Sequence, residues 1–421
     1  MEQECAPMNT ITVSTLACGM PVIFERMGAV RSASMSWLLP IGAATDKDNL
    51  EGLSALIEEM LSRGAGERSS REHADAADRL GVSRGVDVGT FTTRLSTVGV
   101  GRDLPRSLDL FTDMVLQPRF DEEALTAAKD LAIQDIESLK DDPQERAFIN
   151  ARERHHPRPL NRSGMGTKEG ISAVTRGALI HEWTTYARPG GAVIAFAGDI
   201  DRNAVTDRLN DLLRDWRGAA PPPVIDTHAP RGYGHEPEES NQVQIVVMYD
   251  APPEPAPTAL LERLAVSVLS GGMSGRLFSE VREKRGLCYS VSASYRGDKA
   301  FGVVTAYVGT TPERAQDSLD VLLEQLRRVT TPEGAVTREE FERARTGIKA
   351  GLVFAGESSA ARAAALAADW RRLGRPRSLD EIAAEVDAVT LEQLNDYLAQ
   401  RRLGTMTIQT LGKNPLRAPV S

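Results

Sequence analysis

The feature that most restricts the possible folds is an internal repetition of one order of elements. In the first half, a strand-like run at 92–100 precedes an amphipathic helix from Pro105, and in the second half a run at 302–308 precedes a helix from Ala315. Each helix contains a Ser-Leu-Asp triplet, at 107–109 and at 318–320, and each is followed by a helix with an acidic first turn, at 121–137 and at 337–352. The sequence therefore predicts an α+β chain built from two homologous domains.

Proline and glycine mark the boundary between the two copies. The densest loop signal lies at 217–257, and it begins with Arg217-Gly218 and the three prolines at 221–223. Few packed contacts are expected to cross such a segment. We therefore predict an N-terminal domain at 8–218, a linker at 219–240 and a C-terminal domain at 241–415.

Charge and cysteine content exclude several classes of protein. The 421 residues carry a formal net charge of −9, which argues against a nucleic-acid-binding protein, since phosphate neutralisation needs a basic face. Cys5, Cys18 and Cys288 cannot all pair and form no C-x-x-C, so neither a disulfide framework nor a zinc knuckle is expected. No apolar run of about 18 residues and no signal peptide is found, and we predict no membrane association and a cytoplasmic location.

A predicted helix at 49–62 has the geometry of a zinc site without its ligands. Its apolar stripe is formed by Leu53, Ile57, Met60 and Leu61, and the opposite face carries Ala55, Glu58 and Glu59. A helix-borne zinc site needs two imidazoles four residues apart with a carboxylate between them. Ala55 donates nothing and Glu59 stands where an imidazole is needed, so no metal site is predicted here. None of the six histidines restores such a motif, and we expect all six at the surface or in loops.

A second motif lies at 269–295. Gly271-Gly272 predicts a turn, and residues 276–285 predict a charged helix whose Leu277, Phe278 and Val281 face the core. Gly286 ends that helix, and residues 288–295 alternate as a strand. On the residues alone, this segment is a helix–turn–strand corner with solvated charges.

Both motifs resemble blocks of the pitrilysin/insulinase family of zinc metallopeptidases. The stretch GLSALIEEML is similar to the family's GLAHFLEHMLFKG, and SGRLFSEVREKRGLCYSV is similar to its SSRLFQEVREKRGLAYSV. The resemblance extends over about residues 10–412. It implies two α+β domains, each a mixed, mostly antiparallel sheet packed with helices, that form half of a clam-shell chamber. The family's third metal ligand, a Glu on a later helix, corresponds to Asp135.

The resemblance also implies which residues act on a substrate. Arg282 and Tyr289 match an Arg and a Tyr that reach the zinc site from the far half of the chamber and stabilise the oxyanion. Residues 86–90 match the edge strand that captures peptides, so Val86 and Val88, together with Phe278, are predicted to bind substrate. With Ala55, Glu58, Glu59 and Asp135 at the metal positions, the chain is predicted to bind no cofactor and to have no activity alone.

The resulting hypothesis is a non-catalytic subunit of a heterodimeric zinc metalloendopeptidase that acts on a peptide. The partner would be a zinc-bearing pitrilysin-type subunit, and this chain would supply Arg282 and Tyr289. Three alternatives stay open. The chain is an inert structural scaffold, or it presents peptides without supplying donors, or it is a peptidase with an acidic divalent-metal site at Glu58, Glu59 and Asp135.

Overall fold

The computed structural model describes residues 10–417, and both predicted copies form α+β units. The strands, in chain order, are β1 (Ile11–Thr15), β2 (Pro21–Arg26), β3 (Ser32–Leu39), β4 (Gly64–Ala65), β5 (Arg68–Ser69), β6 (Gly85–Val88), β7 (Thr93–Val100), β8 (Val193–Gly198), β9 (Gly232–Pro237), β10 (Val243–Ala251), β11 (Cys288–Gly297), β12 (Gly302–Thr310) and β13 (Thr407–Gly412). The helices are α1 (Leu53–Leu61), α2 (Ser70–Leu80), α3 (Leu104–Leu116), α4 (Glu122–Ser138), α5 (Pro143–His155), α6 (Lys168–Ala173), α7 (Arg176–Tyr186), α8 (Arg202–Leu212), α9 (Ala259–Ser270), α10 (Ala315–Arg328), α11 (Arg338–Gly356), α12 (Ser359–Leu373), α13 (Leu379–Ala388) and α14 (Leu391–Gln400). None of these helices within residues 10–417 is long and apolar enough to cross a membrane.

Each unit has its own sheet. Within residues 10–417, the first unit has a six-stranded sheet in the order β1-β2-β8-β3-β7-β6, and the second has a five-stranded sheet in the order β11-β12-β10-β13-β9. Only the pairs β2–β8 and β9–β13 are parallel among the paired strands of these two sheets. The predicted α+β class with mixed, mostly antiparallel sheets is therefore confirmed.

The units are not the contiguous ranges that the sequence suggested. The first unit runs to Ser138 and also contains Arg162–Ile225 and Phe354–Ser378, whereas the second contains Leu139–Asn161, Asp226–Val353 and the residues from Leu379. Helix α5 thus belongs to the second unit and α12 to the first, unlike the predicted domains 8–218 and 241–415. Residues 8–9 of that prediction lie outside the described part of the chain.

The predicted linker at 219–240 is also partly wrong. Strand β9 lies inside it and pairs in parallel with β13 along its whole length, from Gly232 opposite Thr407 to Pro237 opposite Gly412. Within this segment, one of several changes from the first unit to the second falls between Ile225 and Asp226. The proline- and glycine-rich segment thus contains one change of unit, together with a strand whose pairing partner lies far along the chain.

The central strands of the first sheet explain why α12 belongs to the first unit. Strand β8 is buried throughout, as are four of the six residues of β2 and seven of the eight residues of β3, so other elements must pack on both faces of the sheet. One face packs on Leu53, Ile57 and Phe111 from α1 and α3. The other face, including Ile23 and Val193, packs on Leu366 and Ala367 from α12. The exchange of helices follows from the need to bury this second apolar face.

Polar contacts anchor α12 on the first sheet. Ser359 Oγ lies 2.8 Å from Ser34 Oγ, and Arg362 Nε donates to Glu25 Oε2 at 2.7 Å. The Arg362 and Glu25 side chains are only 2% and 1% exposed. A buried ion pair of this kind is costly when one member is lost, because the other charge is left without a partner.

Helix α5 covers the second sheet in the same way. Ala147 and Ala151 pack against Val246 and Met248 of β10. His155 at the end of α5 is fully buried, and its Nδ1 lies 3.1 Å from Thr407 Oγ1. The α5 helix is thus positioned by both apolar and polar contacts.

The expectation that all six histidines lie at the surface or in loops is wrong for two of them. His155 is buried at the end of α5, and His73 is 1% exposed within α2. His73 Nε2 lies 3.2 Å from the backbone oxygen of Leu110. In each ring, one nitrogen has a hydrogen-bond partner that is distant in the sequence. Such a partner offsets part of the free-energy cost of burying an imidazole.

The internal repeat survives in the packing of the equivalent helices. Ser107 in α3 and Ser318 in α10 each lie three residues after the first residue of their helix, and both are fully buried. The leucines that follow them, Leu108 and Leu319, are buried in the two cores. The Ser-Leu-Asp triplets therefore have the same structural role in the two units.

Candidate functional site

Helix α1 carries the positions of the incomplete zinc motif on one partly exposed face. It begins after Gly52, whose φ of 108° is left-handed, and a Cβ at Gly52 would come within 2.7 Å of Ile171. The residues buried against the core are Leu53, Ser54, Leu56, Ile57, Met60 and Leu61. Ala55, Glu58 and Glu59 are partly exposed, so the predicted division of the helix into two faces is confirmed.

The start of α1 is held by Asp46, a residue that the sequence did not single out. Its carboxylate accepts the N–H groups of Gly52 at 2.9 Å and Ser54 at 3.0 Å. Burial raises the pKa of Asp46 to about 7, although these hydrogen bonds and the charge of Arg162 oppose the rise. Arg162 donates to the backbone oxygen of Asp46 at 2.6 Å. The two residues are 116 positions apart, so no local sequence pattern identifies this contact.

The carboxylates at the incomplete metal positions do not form a common site. Glu59 pairs with Arg63, whose Nε lies 2.6 Å from Glu59 Oε1, and Asp135 is exposed on α4. Glu58 accepts a hydrogen bond from the backbone of Val88. Across residues 10–417, no three His, Cys, Asp or Glu side chains are grouped so that they could hold a metal ion. Since Ala55 has no donor atom, these positions do not fit a zinc site.

The contact between Glu58 and Val88 occurs at an open edge of the first sheet. Strand β6 is the last strand of that sheet, and the Val88 N–H donates to Glu58 Oε2 at 3.0 Å. The side chain of Val86, two residues earlier, packs partly against the core. The structure thus places Val86 and Val88, two of the three predicted substrate-binding residues, on an edge strand, with the N–H of Val88 already hydrogen-bonded.

In the second unit, an irregular helical turn precedes β11. A π-helical turn spans Phe278–Glu283, where the N–H of Lys284 bonds the backbone oxygen of Ser279, five residues earlier, at 3.0 Å. Leu277 and Val281 are fully buried and anchor the turn. Turns of this kind are uncommon and are found frequently at functional sites.

Arg282 projects from this turn, and no carboxylate in the described part of the chain pairs with it. Its guanidinium lies over the Phe278 ring, 4.9 Å from the ring centroid. Phe278 is partly exposed and lies outside the core cluster, so the expectation that it faces the core is wrong. Neighbouring basic residues are paired: Arg276 with Glu340 at 2.6 Å, Lys284 with Glu280 at 2.7 Å and Arg285 with Glu280 at 2.6 Å. Within residues 10–417, Arg282 makes no hydrogen bond or ion pair through its side chain.

Tyr289 lies at a second irregularity, a β-bulge. Cys288 pairs with Thr310 and Ser290 with Gly309, which leaves Tyr289 as the extra residue of β11. Strand β11 is an edge strand, and Tyr289 is 62% exposed. Its hydroxyl has no hydrogen-bond partner in the part of the chain that the structure describes. Bulges next to active sites commonly re-aim a side chain.

The thiol beside Tyr289 allows a direct test of the local environment. Burial raises the pKa of Cys288 to about 11, although the charge of Arg282 lowers it, and the residue is 8% exposed. Because the thiolate is the reactive form, iodoacetamide at pH 8 is expected to label partly buried Cys18 and leave Cys288 unlabelled until the protein is unfolded. Peptide mass spectrometry separates both from Cys5, which lies outside the described residues. Equal labelling rates for Cys288 and Cys18 in the native protein would contradict this environment.

Family profiles match most of the chain. One described as "Insulinase (Peptidase family M16)" matches residues 22–168, and one described as "Peptidase M16 inactive domain" matches residues 173–348. An uncharacterized zinc protease of Mycobacterium tuberculosis is 28% identical over 96% of this chain and 93% of its own length. Another from Bacillus subtilis is 25% identical over 91% of this chain and 93% of its own length.

Solved structures share the fold. The peptidase M16 inactive domain from Pseudomonas fluorescens superposes with a TM-score of 0.87 at 21% identity, covering 98% of this chain and all of that one. A protease from Helicobacter pylori superposes with a TM-score of 0.84 at 17% identity, covering 96% of this chain and all of that one. At these identities, the two superpositions establish the fold alone.

Proposed function

The chain belongs to the insulinase (M16) family of peptidases, and from that premise we propose that it is the non-catalytic subunit of a heterodimeric zinc metalloendopeptidase. In this proposal Arg282 and Tyr289 act on the substrate, and a zinc-bearing pitrilysin-type partner supplies the metal and its ligands. The observation that carries the proposal is the contrast between the two motifs. The metal positions include a residue without metal-binding atoms and an ion-paired carboxylate, whereas Arg282 and Tyr289 are exposed donors whose side chains make no hydrogen bond or ion pair within residues 10–417.

The chemistry of the donor pair supports this role. Attack of water on a peptide carbonyl creates negative charge on the carbonyl oxygen, and donors aimed at that oxygen lower the barrier. A guanidinium and a phenol hydroxyl are both strong donors. Phe278 restrains the Arg282 guanidinium through its ring, so less conformational freedom is lost when an anion binds.

The lack of an ion pair at Arg282 within residues 10–417 is the second observation that supports the proposal. The other basic side chains of this segment, those of Arg276, Lys284 and Arg285, each pair with a carboxylate. Within residues 10–417, Glu280 pairs with two cations and Arg282 pairs with no carboxylate, so its guanidinium is available to bind a ligand. Val86 and Val88 would bind the peptide backbone at the β6 edge by strand addition.

The proposal is tested by reconstitution with a zinc-bearing chain of the same family from the same organism. Cleavage of a quenched fluorescent peptide library is expected only in the mixture, and this chain purified alone is expected to contain far less than one zinc per molecule by elemental analysis. A partner with its motif glutamate replaced should abolish cleavage and serves as the control. Hydrolysis and stoichiometric zinc in the isolated chain would refute the proposal, and a stable but inactive mixture would favour the inert scaffold.

A further inference from the structure

The carboxylate of Glu58 occupies a backbone donor at the free edge of the first sheet. The N–H of Gly89 donates to Thr92 O at 2.9 Å, toward the neighbouring strand β7. Successive N–H groups along a strand point to opposite sides, so the Val88 N–H points away from β7, where Glu58 Oε2 accepts it at 3.0 Å. The Val86 N–H, two residues earlier, points to the same side. Glu58 therefore takes the place that a carbonyl oxygen of an added strand would have.

Helix α1 holds Glu58 in this position. Leu56, Ile57 and Met60 are fully buried on either side of it in sequence, so the helix cannot shift without disturbing the core. The two nearby carboxylates are neutralised by arginines, Glu59 by Arg63 and Asp87 by Arg94. Within residues 10–417, Glu58 has the Val88 N–H as a hydrogen-bond partner and no ion pair.

We propose that β6 is a gated binding edge for an extended peptide and that Glu58 is the gate. In the resting chain the carboxylate bonds the Val88 N–H, and a peptide can pair with β6 only after Glu58 rotates away. A carbonyl oxygen and a carboxylate oxygen are both acceptors and cannot share one N–H without repulsion. This inference rests on the proposed function, since it concerns the regulation of its peptide-binding edge.

The gate has a consequence for affinity. Opening it gives up a charge-assisted hydrogen bond, and such bonds are stronger than neutral ones. The resting edge is therefore expected to bind peptides weakly, and a change elsewhere that drew Glu58 away would increase binding. The gate also protects an otherwise open sheet edge from pairing with another chain.

The test uses the isolated full chain and a fluorescein-labelled decapeptide of alternating valine and threonine, with binding followed by anisotropy. Glu58→Ala is expected to tighten binding about tenfold, equivalent to about 1.4 kcal/mol. Glu59→Ala, which alters the adjacent carboxylate without freeing the edge, is expected to bind like the unmodified chain. Glu58→Gln keeps an acceptor without the charge, so its affinity should lie between those of the unmodified chain and Glu58→Ala.

A second change locates the effect at the edge. Adding Val88→Pro to Glu58→Ala removes the N–H that the gate exposes, and it is expected to abolish the gain in affinity. Unchanged affinity in both Glu58 variants, or a gain that persists with Val88→Pro, would overturn the inference. Because the assay contains no zinc-bearing partner and measures no cleavage, its failure would leave the reconstitution result unaffected, and the reverse also holds.

Discussion

A complex reconstituted with the Tyr289→Phe chain is expected to turn over peptide about 100-fold more slowly than the unmodified complex. The substitution removes one hydroxyl and leaves the ring, and Tyr289 is 62% exposed with no hydrogen-bond partner for that hydroxyl within residues 10–417. Folding and assembly should therefore be unchanged. If the hydroxyl bonds the substrate oxygen only as charge develops, kcat should fall while KM stays nearly constant.

Tyr295→Phe is the matched control for this substitution. Tyr295 lies on the same strand, β11, but its hydroxyl donates to the backbone oxygen of Pro252 at 2.7 Å. Removing it should lower the melting temperature of the chain slightly and leave kcat unchanged. Normal turnover with Tyr289→Phe in an intact complex would instead identify Tyr289 as an inherited surface residue and favour the scaffold role.

Variants of Arg282 and Arg285 in the same reconstituted complex distinguish the role of Arg282 from that of a neighbouring arginine. Arg282→Ala is expected to lower kcat by a similar factor, because it also removes a donor aimed at the developing charge. Arg285→Ala should have little effect on kcat, since the Arg285 guanidinium already pairs with Glu280 at 2.6 Å. Equal losses for the two arginines would indicate a general electrostatic effect of the charged turn.

The regular parts of this site could be predicted from the sequence, and the irregular parts could not. The spacing of Leu53, Ile57, Met60 and Leu61 was enough to place Ala55, Glu58 and Glu59 on one face of a helix. The π-helical turn at Phe278–Glu283 and the bulge at Tyr289 depend on tertiary packing. The spacing of apolar residues in the sequence predicts neither of them. Helical periodicity therefore predicts that Phe278 faces the core, whereas its ring lies under the Arg282 guanidinium.

Long-range partners account for the other differences. The burial of His155 depends on Thr407, 252 positions away, and the position of α1 depends on Arg162. The sequences of α5 and α12 do not indicate which of the two sheets each helix covers. The sequence predicts contiguous domains, and only the packing assigns α5 to the second unit and α12 to the first.

Helix α12 packs on the first sheet, and its Arg362 forms a buried ion pair with Glu25. Breaking this ion pair is expected to cause a large loss of stability. Arg362→Leu is expected to lower the free energy of unfolding of the first unit by about 3–5 kcal/mol, because it leaves the Glu25 carboxylate buried without its cation. Arg362 also donates to the backbone oxygen of Arg377 at 3.1 Å, and that bond is lost as well. All four tryptophans of the chain lie in the first unit: Trp37, Trp183, Trp216 and Trp370. Urea unfolding followed by tryptophan fluorescence therefore reports on this unit.

Two companion variants decide whether the loss comes from the unpaired charge or from α12 itself. The double variant Glu25→Leu/Arg362→Leu removes both charges and is expected to recover most of the stability, since apolar replacement of a buried pair is often neutral. Arg372→Ala, at a partly exposed position on the same helix, should change the free energy of unfolding by less than about 0.5 kcal/mol. If the double variant were as unstable as Arg362→Leu, the loss would come from the missing contact between α12 and the sheet, and the unpaired Glu25 charge would not be its cause. If Arg362→Leu cost less than about 1 kcal/mol, the pair would be too hydrated to anchor α12.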